Sequence, residues 1–102
     1  MHFIGIDIGT SSICGVVYHP STQSVISVTK ENCANISSPD NWEKKQDADI
    51  IINIVWDIVR EFQTRYNDIG GIGITGQMHG IEYTDDQGNA VSPVYTWQDG
   101  RG

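Results

Sequence analysis

Residues 3–12, FIGIDIGTSS, decide the fold of this chain. Polar or small residues alternate with Ile4, Ile6 and Ile8, which places the three isoleucines on one face of a β-strand. Asp7 lies near the end of that strand, where a carboxylate is costly unless it faces water, a metal or strong hydrogen-bond donors. The stretch therefore predicts a strand that delivers an acidic side chain to a turn.

The residues after this strand are small or carry hydroxyl groups. Gly9 lets the backbone turn without a Cβ, and Thr10, Ser11 and Ser12 follow it. Two structures fit this pattern: a loop that holds phosphate while the acid holds Mg²⁺ through water, or the plain turn of a β-hairpin. The glycine-lysine pattern of a P-loop and the glycine pattern of a dinucleotide-binding loop are both absent.

Length and composition restrict the classes of protein that fit. A chain of 102 residues forms one domain at most, and 13 acidic against 6 basic residues give a formal charge of −7. Such a charge repels nucleic acid, although a small anionic ligand with Mg²⁺ stays possible. We expect no membrane partner, because no apolar run approaches about 18 residues. We see no signal peptide, and two cysteines are too few for a disulfide framework, so we expect a reducing, cytoplasmic location.

The pattern along the chain predicts an antiparallel meander followed by a helix. Residues 13–18 and 24–29 predict a second and a third strand joined by short turns, while residues 30–46 are polar and irregular. Asp47 is a suitable helix N-cap, and Gly70 and Gly71 are expected to end the helix. The predicted apolar face of this helix consists of Ile51, Val55, Ile58, Val59, Phe62 and Tyr66.

The remaining segments complete an α/β layer. Residues 71–76 predict a strand buried on both faces, which must return to the same sheet. Residues 85–89, DDQGN, predict a hairpin turn between runs 81–84 and 90–94. The predicted fold class is a truncated α/β domain of the ribonuclease H-like, actin-like type, with a mixed sheet that contains an antiparallel meander and one helix.

Two further motifs carry side chains suited to a polar ligand. In residues 76–80, GQMHG, two glycines bracket Gln77, Met78 and His79, which could bind hydroxyl groups and cover a carbon face. The alternative is a turn in which the methionine is a core residue. A zinc site is not expected, because no cysteine or carboxylate lies near His79 at metal-ligand spacing.

The second motif is residues 97–101, WQDGR. Trp97 could stack on a sugar ring while Asp99 and Arg101 bind vicinal hydroxyls. The alternative is a buried tryptophan beside a surface ion pair of aspartate and arginine.

These stretches together resemble the N-terminal part of the FGGY family of carbohydrate kinases. The resemblance runs through residues 4–12, 42–47, 73–80 and 97–101. Glycerol kinases carry an arginine-glutamate pair where this chain has methionine and histidine, which is similar to xylulokinases and sedoheptulokinases. Gln98 replaces the asparagine usual in xylulokinases, so the last motif is closer to sedoheptulokinases.

The resemblance implies an ATP-dependent kinase that phosphorylates a ketose between two actin-like domains. Asp7 would organise Mg²⁺ and its waters. The loop that faces the ATP phosphates would consist of Gly9, Thr10, Ser11 and Ser12. The sugar pocket would be lined by Gln77, Met78, His79, Trp97, Asp99 and Arg101.

The resemblance also implies that the catalytic base, an aspartate, lies beyond the end of this sequence. We therefore expect a fragment of a kinase, inactive alone, that self-associates through apolar surface or an exposed strand edge. A homodimeric parent is compatible with the family. Two alternatives stay open: a free-standing sugar- or nucleotide-binding module, and a ribonuclease H-like nuclease, which the net charge disfavours.

Overall fold

The computed structural model describes residues 1–77 and 80–100. Three of the predicted sugar-pocket residues, Met78, His79 and Arg101, lie outside the described residues. The elements in chain order are β1 His2–Ile8, β2 Ser12–His19, β3 Ser24–Glu31, β4 Asn35–Ile36, β5 Lys45–Gln46, α1 Ala48–Arg65, β6 Ile69–Gly76 and β7 Val94–Tyr95.

The main sheet has four strands in the order β3-β2-β1-β6. The pairs β1–β2 and β2–β3 are antiparallel, and β6 lies parallel to β1 on its other side. This arrangement confirms the predicted meander and the predicted return of the strand after the helix. Because β1 is central, its carboxyl end brings the loop at residues 9–11 beside the end of β6.

The core lies between one face of this sheet and α1. The alternation in β1 places Ile4 and Ile6 inside, with Ile8 partly buried beside them. Gly15 lies beneath the helix, where an added Cβ would collide with the side chain of Ile58. The other buried members of the core are Ile13, Val17, Ile54, Val59 and Phe62. The predicted helical face is thus confirmed in outline, while Ile54 was not part of it.

The predicted end of the helix was wrong. α1 ends at Arg65, and Tyr66 takes an extended conformation with φ −130° and ψ 125°. The ring of Tyr66 packs on that of His2, with 4.2 Å between the centroids, which favours an early exit from the helix. Gly70 and Gly71 belong to β6, and a Cβ on Gly70 would collide with the side chain of Met1. Within the described ranges, no helix has the length and apolar character needed to cross a membrane.

The predicted burial of the strand after the helix on both faces was also wrong. β6 is an edge strand of the described sheet, and Ile72 and Ile74 are 46% and 65% exposed. The reason is that α1 packs over β1 and β2 and leaves β6 at the side. The expected self-association through such an edge stays a prediction.

Two strands of a second, small sheet, β4 and β5, lie in residues 30–46, which the sequence pattern predicts to be irregular. This sheet has the order β4-β5-β7, and all its pairs are antiparallel. The predicted turn at residues 85–89 forms, and the runs beside it pair through the bridge Thr84–Ala90 and the hydrogen bond from the N–H of Val91 to Tyr83 O at 2.9 Å. Ile81 forms a bridge with Tyr95 of β7. The backbone N–H of Asn89 donates to the Asp85 carboxylate at 2.8 Å, and this bond lowers the pKa of Asp85.

The predicted N-cap of α1 offers a direct test of the local structure. One carboxylate oxygen of Asp47 accepts hydrogen bonds from the N–H groups of Asp49 at 2.9 Å and Ile50 at 3.4 Å. Asp47→Ala should therefore lower the free energy of unfolding by about 1 kcal/mol. Denaturant titration of the protein measures this, with Asp57→Ala in mid-helix as the control. Equal loss in both variants would contradict the capping role.

Candidate functional site

The loop between β1 and β2 is tight and depends on its glycine. The N–H of Gly9 donates to the carbonyl oxygen of Ser12 at 2.9 Å. A Cβ on Gly9 would lie 2.6 Å from that same oxygen, which real structures do not tolerate. The predicted glycine turn is confirmed. It holds the backbone of residues 9–12 in one conformation.

The carbonyl groups of this loop are bound by the protein. The side-chain amide of Asn32 donates to Gly9 O at 2.8 Å, and its backbone N–H donates to Ser11 O at 2.9 Å. Gln46 Nε2 donates to Thr10 O at 3.1 Å. Within residues 1–77 and 80–100, the backbone N–H groups of Thr10 and Ser11 have no acceptor. Two consecutive N–H groups without partners, beside bound carbonyls, match the chemistry of an anion-binding loop.

Asp7 lies at the end of β1, on the face of the sheet away from α1. Its side chain is exposed, and its neighbours across the sheet are Cys14 and Thr75. These three residues line one depression of about 380 Å³. In the described part of the chain, no basic group lies within ion-pair distance of the Asp7 carboxylate. An exposed carboxylate without a cationic partner among the described residues is a ligand that suits a hydrated Mg²⁺ ion.

Gln46 connects the loop to the rest of the site. Its side chain is fully buried, and both of its N–H groups and its carbonyl oxygen have partners. Nε2 donates to Thr10 O at 3.1 Å and to Asn35 Oδ1 at 3.0 Å. Oε1 accepts from Gln77 Nε2 at 2.9 Å and from Asn32 Nδ2 at 3.3 Å. A buried amide with its full set of four hydrogen bonds fixes the position of each partner.

The hydroxyl group of Thr10 joins the two predicted halves of the site. Thr10 Oγ1 donates to Gln77 Oε1 at 3.3 Å and accepts from the indole Nε1 of Trp97 at 3.0 Å. The structure thus brings one residue predicted for phosphate into contact with two predicted for sugar. Because this hydroxyl is occupied inside the protein, the group that Thr10 offers to a ligand is its backbone N–H.

In residues 97–101, the burial of the tryptophan and the aspartate is the opposite of what the alternative interpretation requires. Trp97 is 56% exposed, whereas Asp99 is 8% exposed. One carboxylate oxygen of Asp99 accepts from the backbone N–H of Lys44 at 2.9 Å, which ties the motif to the residue directly before β5. A buried tryptophan beside a surface carboxylate is therefore wrong, and an open aromatic face remains for a ligand.

Sequence reasoning missed two residues that organise this site. Asn32 was part of a stretch read as irregular, and Gln46 entered only as a member of a motif. A signal existed for Gln46, since a neutral amide stands directly before the helix cap in a run of charged residues. That signal does not distinguish an exposed glutamine from a buried one.

Comparison with known proteins agrees with this geometry. The chain is 32% identical over 102 residues to the xylulose kinase of Staphylococcus xylosus, covering 98% of this chain and 21% of that protein. It is 28% identical over 101 residues to the xylulose kinase of Escherichia coli K12, covering 97% of this chain and 20% of that protein. The chain thus spans about a fifth of the length of these relatives.

Solved structures and a family model give the same assignment. The crystal structure of xylulose kinase from Rhodospirillum rubrum superposes with a TM-score of 0.85 at 24% identity, over 99% of this chain and 21% of that one. This likeness confirms the predicted actin-like fold class. The model of the FGGY family of carbohydrate kinases, N-terminal domain, matches residues 2–102. The chain belongs to the FGGY family of carbohydrate kinases and matches its N-terminal domain.

Proposed function

We propose that this chain is the N-terminal part of the first actin-like domain of a kinase that transfers the γ-phosphate of Mg-ATP to a hydroxyl group of a ketose. The observation that carries the proposal is the hydrogen-bonded chain from Trp97 through Thr10 to Gln77. It connects an exposed aromatic face, suited to a sugar ring, with a loop suited to phosphate. A phosphotransfer enzyme needs these two surfaces side by side.

On the phosphate side, the backbone N–H groups of Thr10 and Ser11 and the hydroxyls of Ser11 and Ser12 would bind phosphate oxygens. Asp7 would hold Mg²⁺ through water, since its carboxylate is exposed and not paired with a cation in the described chain. The metal ion, when bound, neutralises charge on the phosphate groups during transfer. The loop contributes by holding its donors in place before the substrate arrives.

On the sugar side, the exposed face of Trp97 would stack on carbon atoms of the ketose. Gln77 keeps one N–H and one lone pair beyond its two observed hydrogen bonds, and these could bind a hydroxyl. Asp99, Met78, His79 and Arg101 complete the proposed pocket on the strength of the sequence motifs.

We assign the base that takes the proton of the attacking hydroxyl to a part of the kinase outside these 102 residues. The isolated chain should then release no ADP from Mg-ATP with xylulose or sedoheptulose, because the base and most of the nucleotide site would be absent. A coupled ADP assay measures this, with the whole kinase as the positive control. ADP release that depends on sugar and follows the 102-residue chain through purification would contradict the assignment.

The choice of sugar rests on two different observations. The relatives named above are xylulose kinases, which favours xylulose, whereas Gln98 favours sedoheptulose. Comparing kcat/KM of the whole kinase for D-xylulose, sedoheptulose and glycerol tests both. We expect a ketose to be preferred over glycerol, and a preference for glycerol would overturn the proposed substrate class.

A further inference from the structure

Two imidazoles and one carboxylate form a cluster at the end of the sheet opposite the phosphate loop. His2 begins β1, His19 ends β2, and Asp68 directly precedes β6. One possible ligand atom from each lies within 4.8 Å of the other two. β1 spans 7 residues. Its rise places the cluster roughly 20 Å from Gly9, so the cluster is separate from the site described above.

Backbone and ring contacts hold the cluster in place. The backbone N–H of His2 donates to Asp68 O at 2.9 Å, and His2 Nδ1 lies 2.6 Å from Asp68 Oδ1. The His2 ring packs on Tyr66 with 4.2 Å between the centroids and meets the edge of His19 at 4.5 Å. Two of the three side chains therefore lie on strands of the main sheet and the third is bound to His2, which limits the ordering that a bound ion would require.

The donor set has the composition of a transition-metal site. Two imidazole nitrogens and one carboxylate oxygen are the ligands that Zn²⁺ takes in tetrahedral sites, with water in the fourth position. Mg²⁺ prefers oxygen ligands in octahedral geometry and fits this set poorly. At Zn–N distances of about 2.0–2.1 Å the ligands stand roughly 3.3 Å apart, so small side-chain rotations would close the cluster on an ion.

The charges around the cluster are compatible with a cation. The hydrogen bond from His2 is the main cause that lowers the pKa of Asp68, so its carboxylate is ionised at neutral pH. The amino group of Met1 lies 3.5 Å from the second oxygen, Asp68 Oδ2, and competes for that oxygen only. Among residues 1–77 and 80–100, the hydrogen bond that the His19 ring would give up is a weak one, in which its Nδ1 accepts from the N–H of Thr22 at 3.4 Å.

We propose that His2, His19 and Asp68 bind one divalent transition-metal ion of the Zn²⁺ type at this end of the sheet. The site does not depend on the proposed kinase function. Binding would replace the proton shared by His2 and Asp68, so uptake of the ion should release a proton.

Isothermal titration of the whole protein, without a histidine tag, with ZnCl₂ at pH 7.5 tests the proposal. We expect one Zn²⁺ ion per chain at this site, an unchanged Zn²⁺ affinity when excess MgCl₂ is present, and a higher melting temperature with Zn²⁺. His19→Gln should weaken the binding at least about tenfold, since it removes a direct ligand. Asp68→Asn serves as a second variant if the first fails to fold.

The matched control is Cys33→Ser, because Cys33 is an exposed free thiol and a competing ligand for Zn²⁺. This variant should bind the ion as the parent does. Three results would each overturn the proposal. They are the absence of any Zn²⁺ binding, a Zn²⁺ affinity of His19→Gln and Asp68→Asn equal to that of the parent, and loss of binding in Cys33→Ser.

Discussion

Replacing Asp7 by asparagine in the kinase that we propose contains this chain should lower kcat by roughly 10²–10³-fold, the loss typical of one preorganised electrostatic contact. The substitution preserves the shape of the side chain and removes the charge that would position Mg²⁺ against the transferring phosphate. The KM for the sugar should hardly move, because Asp7 lies at the end of β1 and the proposed sugar surface lies at Trp97 and Gln77. Steady-state kinetics with ATP and sugar varied in turn measures both effects.

Asp57→Asn is the matched control for this prediction. Asp57 is an exposed carboxylate on α1 whose described ion pair is to Arg60 at 3.6 Å, and its loss should leave kcat unchanged. An Asp7→Asn enzyme with the kcat of the parent would contradict the assignment of Asp7 to the metal. A comparable loss in both variants would point to a general effect of charge instead.

The second large effect is expected for Gln46→Leu. The change removes the four hydrogen bonds that hold Thr10, Asn35, Gln77 and Asn32, and each buried group left unpaired costs about 1–3 kcal/mol. We expect a lower melting temperature together with a lower kcat and a higher sugar KM, because Gln77 loses the contact that orients it. Gln63→Leu, the same change at an exposed site on α1, should affect none of these quantities.

A further variant separates positioning from mere stability. Gln46→Glu keeps an oxygen that accepts from Gln77 but places a carboxylate oxygen against Thr10 O, where Gln46 now donates. The sugar KM should therefore stay close to that of the parent, while the KM for ATP rises. If Gln46→Leu and Gln46→Glu lowered only the melting temperature and left the kinetic constants of the folded enzyme intact, Gln46 would be a structural residue only.

Local patterns in the sequence predicted the parts of the fold whose cause is local. The alternation of Ile4 and Ile6, the glycine turn at Gly9 and the cap at Asp47 each depend on neighbours within a few residues, and all three are present in the structure. The end of α1 was missed because Tyr66, where the chain leaves the helix, contacts His2, which is distant along the chain although it is close in space. Gly70 and Gly71 resembled a helix stop because their actual place, in a strand paired with β1, depends on residues far away along the chain.

Asn32 and Gln46 were missed as site residues because their hydrogen-bond partners lie far away along the chain. Gln46 bonds to groups 36 and 31 residues away along the chain, at Thr10 and Gln77. Strands of two residues such as β4 and β5 show no periodicity, so their pairing left no pattern to read. The motifs themselves were visible in the sequence, but the single amide that joins two of them was visible only in three dimensions.

If the proposed sugar and phosphate sites are right, the shared hydroxyl of Thr10 also restricts how the proposed kinase can change during evolution. A new sugar specificity reached through Trp97 would alter the donor on which the Thr10 hydroxyl depends, and with it the loop beside Asp7. Substitutions at Trp97 and Thr10 should then be epistatic, with a combined effect that differs from the sum of the single effects. Selection for a new substrate would consequently act on the catalytic rate as well, and lineages that switch sugar would need compensating changes at the loop.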